Sequence, residues 1–174
     1  MKKVFVLFGT LVVVIGLYAK SPFGIELDGR YTITTETGQP DYFSLETSVL
    51  MHIYKNFYAR TGFLNVSFFS GNTYINFGTG VPLGSFLTPR PGFDILMFFE
   101  APKTIPFALS GFSLSTGGGI RAINFRLGGG AEFIIKEEMA MRPFVEVLID
   151  ILNTSNASSH TENVITLKSG TRIK

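Results

Sequence analysis

The stretch Ile120–Asp150 reads IRAINFRLGGGAEFIIKEEMAMRPFVEVLID. In its first arm Ile123, Phe125, Leu127, Ala131, Phe133 and Ile135 share one parity, and Asn124, Arg126, Gly128, Gly130, Glu132 and Lys136 share the other. A tight charged turn, Lys136-Glu137-Glu138, separates the arms. In the second arm Met141, Pro143, Val145, Val147, Ile149 and Ile151 oppose Arg142, Glu146 and Asp150. Successive side chains of a strand point to opposite faces, so a period of two held this long predicts a β-hairpin with one apolar and one polar face. Both arms exceed the roughly 5–6 residues usual for globular strands. Long two-faced strands joined by a minimal turn point to a transmembrane β-barrel.

The same split recurs on either side of this hairpin. Ile25, Leu27, Gly29, Tyr31 and Ile33 alternate with Glu26, Asp28, Arg30, Thr32 and Thr34. Phe43, Leu45, Val49, Met51 and Ile53 alternate with Ser44, Glu46, Ser48 and His52. The segment 57–69 changes phase: Phe57, Ala59 and Phe63 follow one parity, whereas Leu64, Val66 and Phe68 follow the other. A β-bulge near Gly62–Leu64 reconciles them. Eight strands are expected, over 24–34, 42–54, 57–69, 92–101, 105–116, 120–136, 139–152 and 163–173. The fold class is therefore all-β, an antiparallel up-and-down transmembrane β-barrel. The count becomes ten if Thr73–Phe77 and Leu83–Leu87 also pair. Connections at 54–57, 102–104 and 136–138 are short, whereas those at 35–41, 70–91 and 153–162 are long. Outer-membrane barrels are built this way, with periplasmic turns and external loops. An even count puts both termini on the turn side.

Composition narrows the class. A chain of 174 residues is enough for one domain. The absence of cysteine excludes a disulfide scaffold and thiolate-bound zinc. Lys2 and Lys3 account for the formal charge of +2, so the rest of the chain is balanced, which speaks against a nucleic-acid partner. Mean hydropathy is +0.30, high for a water-soluble domain. Past residue 20, however, no apolar run approaches the ~18 residues of a spanning helix. Met1-Lys2-Lys3, the apolar run Val4–Leu17 and Ala19 read as a secretory signal peptide. The expected organisation is a signal peptide over 1–19 and a barrel domain over 20–174, placed in the outer membrane after cleavage near Ala19.

The chain resembles the small outer-membrane barrels of the OmpA/OmpX-like superfamily. The residues that carry the resemblance are Gly128-Gly129-Gly130-Ala131-Glu132-Phe133, then Met141-Arg142-Pro143-Phe144-Val145-Glu146-Val147, and the closing strand Thr166-Leu167-Lys168-Ser169-Gly170-Thr171-Arg172-Ile173. The likeness is one of pattern and covers the whole mature chain. It implies outer-membrane lipid as surroundings and the barrel assembly machinery as a partner during biogenesis. Such barrels usually end in an aromatic residue read by that machinery, and this chain departs in ending Ile173-Lys174.

Alternation alone leaves the sense of the barrel open, since a soluble lipocalin-like carrier has the same period inverted. Strand length, the bulk of the apolar face and the clustering of aromatics near strand ends favour the membrane sense. The aromatics in question are Tyr31, Tyr42, Phe43, Tyr54, Phe57, Tyr58, Phe68, Phe69, Phe93, Phe99 and Phe107. The polar face then lines the lumen. Its charges are Glu26, Asp28, Glu46, Asp94, Glu100, Glu132, Glu146 and Asp150 against Arg30, Arg126, Arg142, Lys168 and Arg172. An eight-stranded lumen holds little beyond side chains, and isolated buried charge is costly, so these groups are expected to pair as a structural network. A narrow ion or solute channel is the alternative for the same residues.

Chemistry finds little support. His52 and Ser48 are about 13 Å apart along one strand, too far for a catalytic pair. His160 lies in a polar segment, and two lone histidines make a poor metal site. The glycine triplets 117–119 and 128–130 lack the Lys-Ser/Thr of a phosphate loop. No catalytic residue, cofactor or metal is expected. The function expected is structural, anchoring or surface-interacting.

Overall fold

The structure is a computed structural model, described over residues 22–34, 41–69, 71–77, 92–117, 120–155 and 159–174. The expected leader, the segment Leu83–Leu87 and the side chain of His160 lie outside the described residues. The elements are β1 (Phe23–Thr34), β2 (Tyr42–Tyr54), β3 (Phe57–Phe69), β4 (Asn72–Phe77), β5 (Gly92–Phe98), β6 (Thr104–Gly117), β7 (Ile120–Phe133), β8 (Met141–Ser155) and β9 (Ser159–Ile173). All pairings are antiparallel between neighbours, and β1 pairs with both β2 and β9 while β2 pairs with β3, which closes the ring.

Nine strands make eight wall positions. One edge of β3 carries β2; the other carries β4 along Leu64–Phe69 and β5 along Phe57–Arg60. β4 and β5 therefore share one slot, and Thr73–Phe77 adds no further position to the ring. Hydrogen-bonded partners run Gly24, Leu50, Arg60, Asp94, Gly111, Arg126, Asp150, Val164 and back to Thr34 on β1. One circuit thus climbs from position 24 to position 34, a shear of ten (34 − 24). Eight strands with that stagger tilt by about 40° from the barrel axis.

The bulge falls where the phase change placed it. Thr47 opposes Leu64 and Ser48 opposes Gly62, leaving Phe63 as the extra residue. The large apolar side chains face out before it (Phe57), at it (Phe63) and after it (Phe68), all exposed. The same holds around the ring, where Phe125 is 53% exposed, Val147 49% and Leu167 47%. The opposite parity is buried, including Glu26, Glu46, Arg60, Asp94, Glu146 and Arg172. The barrel is thus apolar outside and charged inside, the reverse of a soluble carrier.

Several boundaries differ from the sequence reading. The polar stretch after Leu152 continues the β8–β9 hairpin, with Asn153 opposite Thr161 and Ser155 opposite Ser159, where a long loop was expected. Thr161 donates its hydroxyl to Asn153 at 2.8 Å, so polar side chains hold this hairpin above the apolar band. At the other end, Lys136-Glu137-Glu138 lies within the longer connection 134–140. The 55–56 turn is tight, as expected, and Lys55 takes the left-handed region with φ 47°.

Gly111 illustrates how closely the inner wall is fitted. A Cβ there would meet Phe93 O at 2.7 Å, Asp94 Cα at 2.9 Å and the Asp94 carboxylate. Gly29, on the outer face, would meet only side chains, the Phe43 ring at 3.3 Å and Leu45 Cδ2 at 3.8 Å. Gly111→Ala is therefore expected to destabilise the barrel by about 1–3 kcal/mol through overpacking, and Gly29→Ala to be near neutral, in urea titrations of the refolded protein. Equal effects at the two sites would show that the inner face has slack.

Candidate functional site

The lumen has three layers. At the turn end, Leu50, Leu96, Phe98, Phe107, Leu109, Phe144 and Leu148 form a buried apolar cluster with Tyr58 and Ile105 packed against it. Ion pairs fill the middle. Toward the loop end the inward side chains are mainly hydroxyls and amides: Thr32, Ser44, Asn65, Ser67, Ser113, Asn124 and Thr166, all buried.

Arg60 is the hub of the middle layer. Its Nε and Nη2 donate to Asp94 Oδ2 at 2.9 and 2.7 Å. Its Nη1 donates to Glu26 at 3.0 Å and to Glu146 at 2.7 Å, and its Nη2 adds a second bond to Glu146 at 2.8 Å. One guanidinium thereby ties β3 to β5, β1 and β8. Arg172 parallels it from β9, donating to Glu26 at 2.6 Å, Glu146 at 3.1 Å and Glu132 at 3.3 Å. Its guanidinium carbon sits 4.2 Å from the Phe107 ring and 4.1 Å from the Phe144 ring, so the planar cation also joins the charged layer to the aromatic one.

The remaining charges pair around this hub. Lys168 bonds Glu26 and lies 3.1 Å from Asp28 Oδ2. Arg30 donates to Asp28 at 3.0 Å and to Glu46. Glu46 also accepts from Ser48 at 2.9 Å and Asn65 at 3.3 Å. Arg126 donates to Asp150 at 2.8 Å and reaches Asp94 at 3.4 Å across the gap that Gly111 leaves. At the turn-end mouth Arg142 and Lys174 donate to Glu132 at 3.1 and 2.8 Å. Seven buried carboxylates (Glu26, Asp28, Glu46, Asp94, Glu132, Glu146, Asp150) face five buried cations (Arg30, Arg60, Arg126, Lys168, Arg172), and Arg142 and Lys174 bring the balance to seven each. Lys174 lies one residue past β9. Burial pulls its ammonium down to about 8, against the opposing pull of Glu132, so it stays mostly protonated at neutral pH.

Sequence parity placed most of these residues, with one error and one omission. Glu100 is exposed in the turn after β5, not in the lumen. The β5–β6 ladder stops at Phe98–Phe107, and residues 99–103 turn back before the parity of Glu100 has meaning. Arg60 is buried in the lumen yet absent from the charges expected there, because the apolar residues of β3 show the phase change without showing where its polar residues point. Its place two residues before Gly62 was the available signal. Three aromatics expected in an outer girdle belong inside: Tyr42 and Phe107 are buried, and Tyr58 stacks edge-on against Phe98 at 5.2 Å. Tyr31, Phe43, Tyr54, Phe57, Phe68, Phe93 and Phe99 are exposed, as a girdle requires. Among the described residues no cluster of His, Asp and Glu could hold a metal ion. The Nε2 of His52 lies 2.7 Å from Lys55 O in the turn.

The crystal structure of Neisserial surface protein A matches this architecture with a TM-score of 0.54. This chain shares that fold. The match covers 88% of this chain and 97% of that one at 12% sequence identity. No protein-family model and no curated protein matches the chain. The likeness therefore rests on strand number and arrangement, with few residues in common.

The hub and the mouth are expected to respond differently to mutation. Arg60→Met leaves Asp94 and Glu146 short of their main buried partner and should cost about 3–5 kcal/mol. Arg142 is 31% exposed, and Glu132 keeps Arg172 and Lys174 without it, so Arg142→Gln should change stability by no more than about 1 kcal/mol. Urea-dependent unfolding of refolded protein checks both. A mild Arg60 effect would mean that the network rearranges freely.

Proposed function

We propose that this chain is a small outer-membrane β-barrel with a structural, anchoring or surface-interaction role and a lumen that does not conduct. The observation that carries the reading is the sense of the barrel. Its exterior exposes Phe, Leu, Ile and Val all round the ring, and its interior is packed with balanced charge. A water-filled pore needs a continuous free path, whereas Arg60, Arg172, Glu26 and Glu146 meet across the lumen at 2.6–3.1 Å. A substrate-transforming enzyme needs free catalytic groups, and here the carboxylates are engaged by cations. In this reading the leader over 1–19 is removed near Ala19, the short turns face the periplasm, outer-membrane lipid surrounds the wall, and the barrel assembly machinery inserts it.

The wall is tested at Val147, which is exposed near the middle of β8. Val147→Arg should lower folding stability in lipid bilayers by about 2–4 kcal/mol and Val147→Leu should be tolerated. A neutral arginine would show that this face does not meet hydrocarbon.

The lumen is tested by conductance. The purified protein in planar bilayers should give no steady porin-like current. Large, stable single-channel openings from the wild type would replace this reading with a channel.

A further inference from the structure

A cavity of about 240 Å³ opens at the turn-end mouth of the barrel, beside the ion-pair network and separate from its centre. Its cations are Lys55 from the β2–β3 turn, Arg142 from the start of β8 and Lys174 beyond β9. Tyr58, Phe98 and Ile105 line its inner side. Three separate elements thus bring positive groups to one recess.

Its lining carries three cations, Lys55, Arg142 and Lys174, against one carboxylate, Glu100. Arg142 and Lys174 share Glu132, which also accepts from Arg172 at 3.3 Å, although Arg172 has Glu26 and Glu146 as its nearer partners. Lys55 makes no ion pair among the described residues; its ammonium rests 5.1 Å from the ring of Tyr54. Glu100 is the opposing charge on the rim and is exposed to solvent. The ammonium of Lys174 lies 3.9 Å from the Phe98 ring and 4.9 Å from the Tyr58 ring, which holds it in position at the floor. The recess has the volume of roughly eight waters, enough for a tetrahedral oxyanion and its nearest substituent.

We propose that this mouth is a binding site for a phosphate group. Basic side chains from three elements line it, with Lys55 and Lys174 as point charges and Arg142 as a guanidinium with one nitrogen bonded to Glu132. A tetrahedral dianion with several acceptor oxygens matches that arrangement better than a planar monoanion. The phosphate has two sources: the headgroup of a phospholipid in the leaflet at the turn end, or a free phosphate ion. The lipid source rests on the outer-membrane reading above, whereas the site itself does not.

The test uses full-length mature protein purified in a non-ionic detergent at fixed ionic strength, because exposed charges are screened by salt. Short-chain phosphatidic acid and inorganic phosphate are titrated separately, with acetate as the control anion. Saturable binding of either phosphate probe is expected, weakened at least tenfold in Lys55→Gln and in the double variant Lys55→Gln/Arg142→Gln. Lys55 lies in an exposed turn outside the ion-pair network, so Lys55→Gln tests the site without threatening the fold. If the lipid binds much more tightly than the ion, the source is a headgroup; equal affinities indicate free phosphate. Equal affinity for acetate, or affinities unmoved by Lys55→Gln, would overturn the proposal. Cell fractionation tests the outer-membrane reading independently, so the failure of one is not the failure of the other.

Discussion

Charge confined to a narrow lumen is the constraint on which the rest of this structure depends. Eight strands leave room for side chains and little else. Any charge pointing inward must therefore meet its opposite within hydrogen-bond distance or be strongly destabilising. Arg60 meets that condition for three carboxylates at once, from β5, β1 and β8. It is able to do so because the Phe63 bulge keeps Arg60, on one side, and Asn65, on the other, both pointing inward. Without that extra residue one half of β3 would turn its polar face to the outside.

The glycines of the inner wall serve the same constraint. Gly111 sits between Asp94 and Arg126 along the hydrogen-bonded circuit, and its missing side chain is the space through which those two approach. Gly130 does this for the aromatic layer, since a Cβ there would meet the Phe107 ring at 2.7 Å. That ring in turn carries the guanidinium of Arg172. Space, aromatic packing and charge pairing thus meet in one arrangement. A lumen so filled moves any interaction with other molecules to the ends of the barrel and to its outer wall.

Much of this was readable from alternation. The polar parity of β1, β2, β7, β8 and β9 led directly to Glu26, Asp28, Arg30, Glu46, Arg126, Glu132, Arg142, Glu146, Asp150, Lys168 and Arg172. The exceptions have a common physical cause: parity carries no information about where a strand stops or slips. Glu100 keeps the parity of Asp94 but lies past the end of the ladder. Arg60 was lost at the slip in β3. Phe107 lies near a strand end, a place that looks the same from either face, and its ring is buried inside.

The period of two, and with it the class of fold, the two faces of each strand and the position of the bulge, is written in the order of residues along the chain. It is written there because those properties depend only on a residue and its near neighbours along the chain. Which face turned inward, and which acid met which base, was decided by the closed barrel. Glu26 and Arg172 are 146 positions apart, and Arg60 and Glu146 are 86 apart. Their contact depends on strand number and a shear of ten, quantities that exist only once the last strand has paired with the first. The same is true of β4 and β5, which look like two strands in the chain and fill one place in the wall.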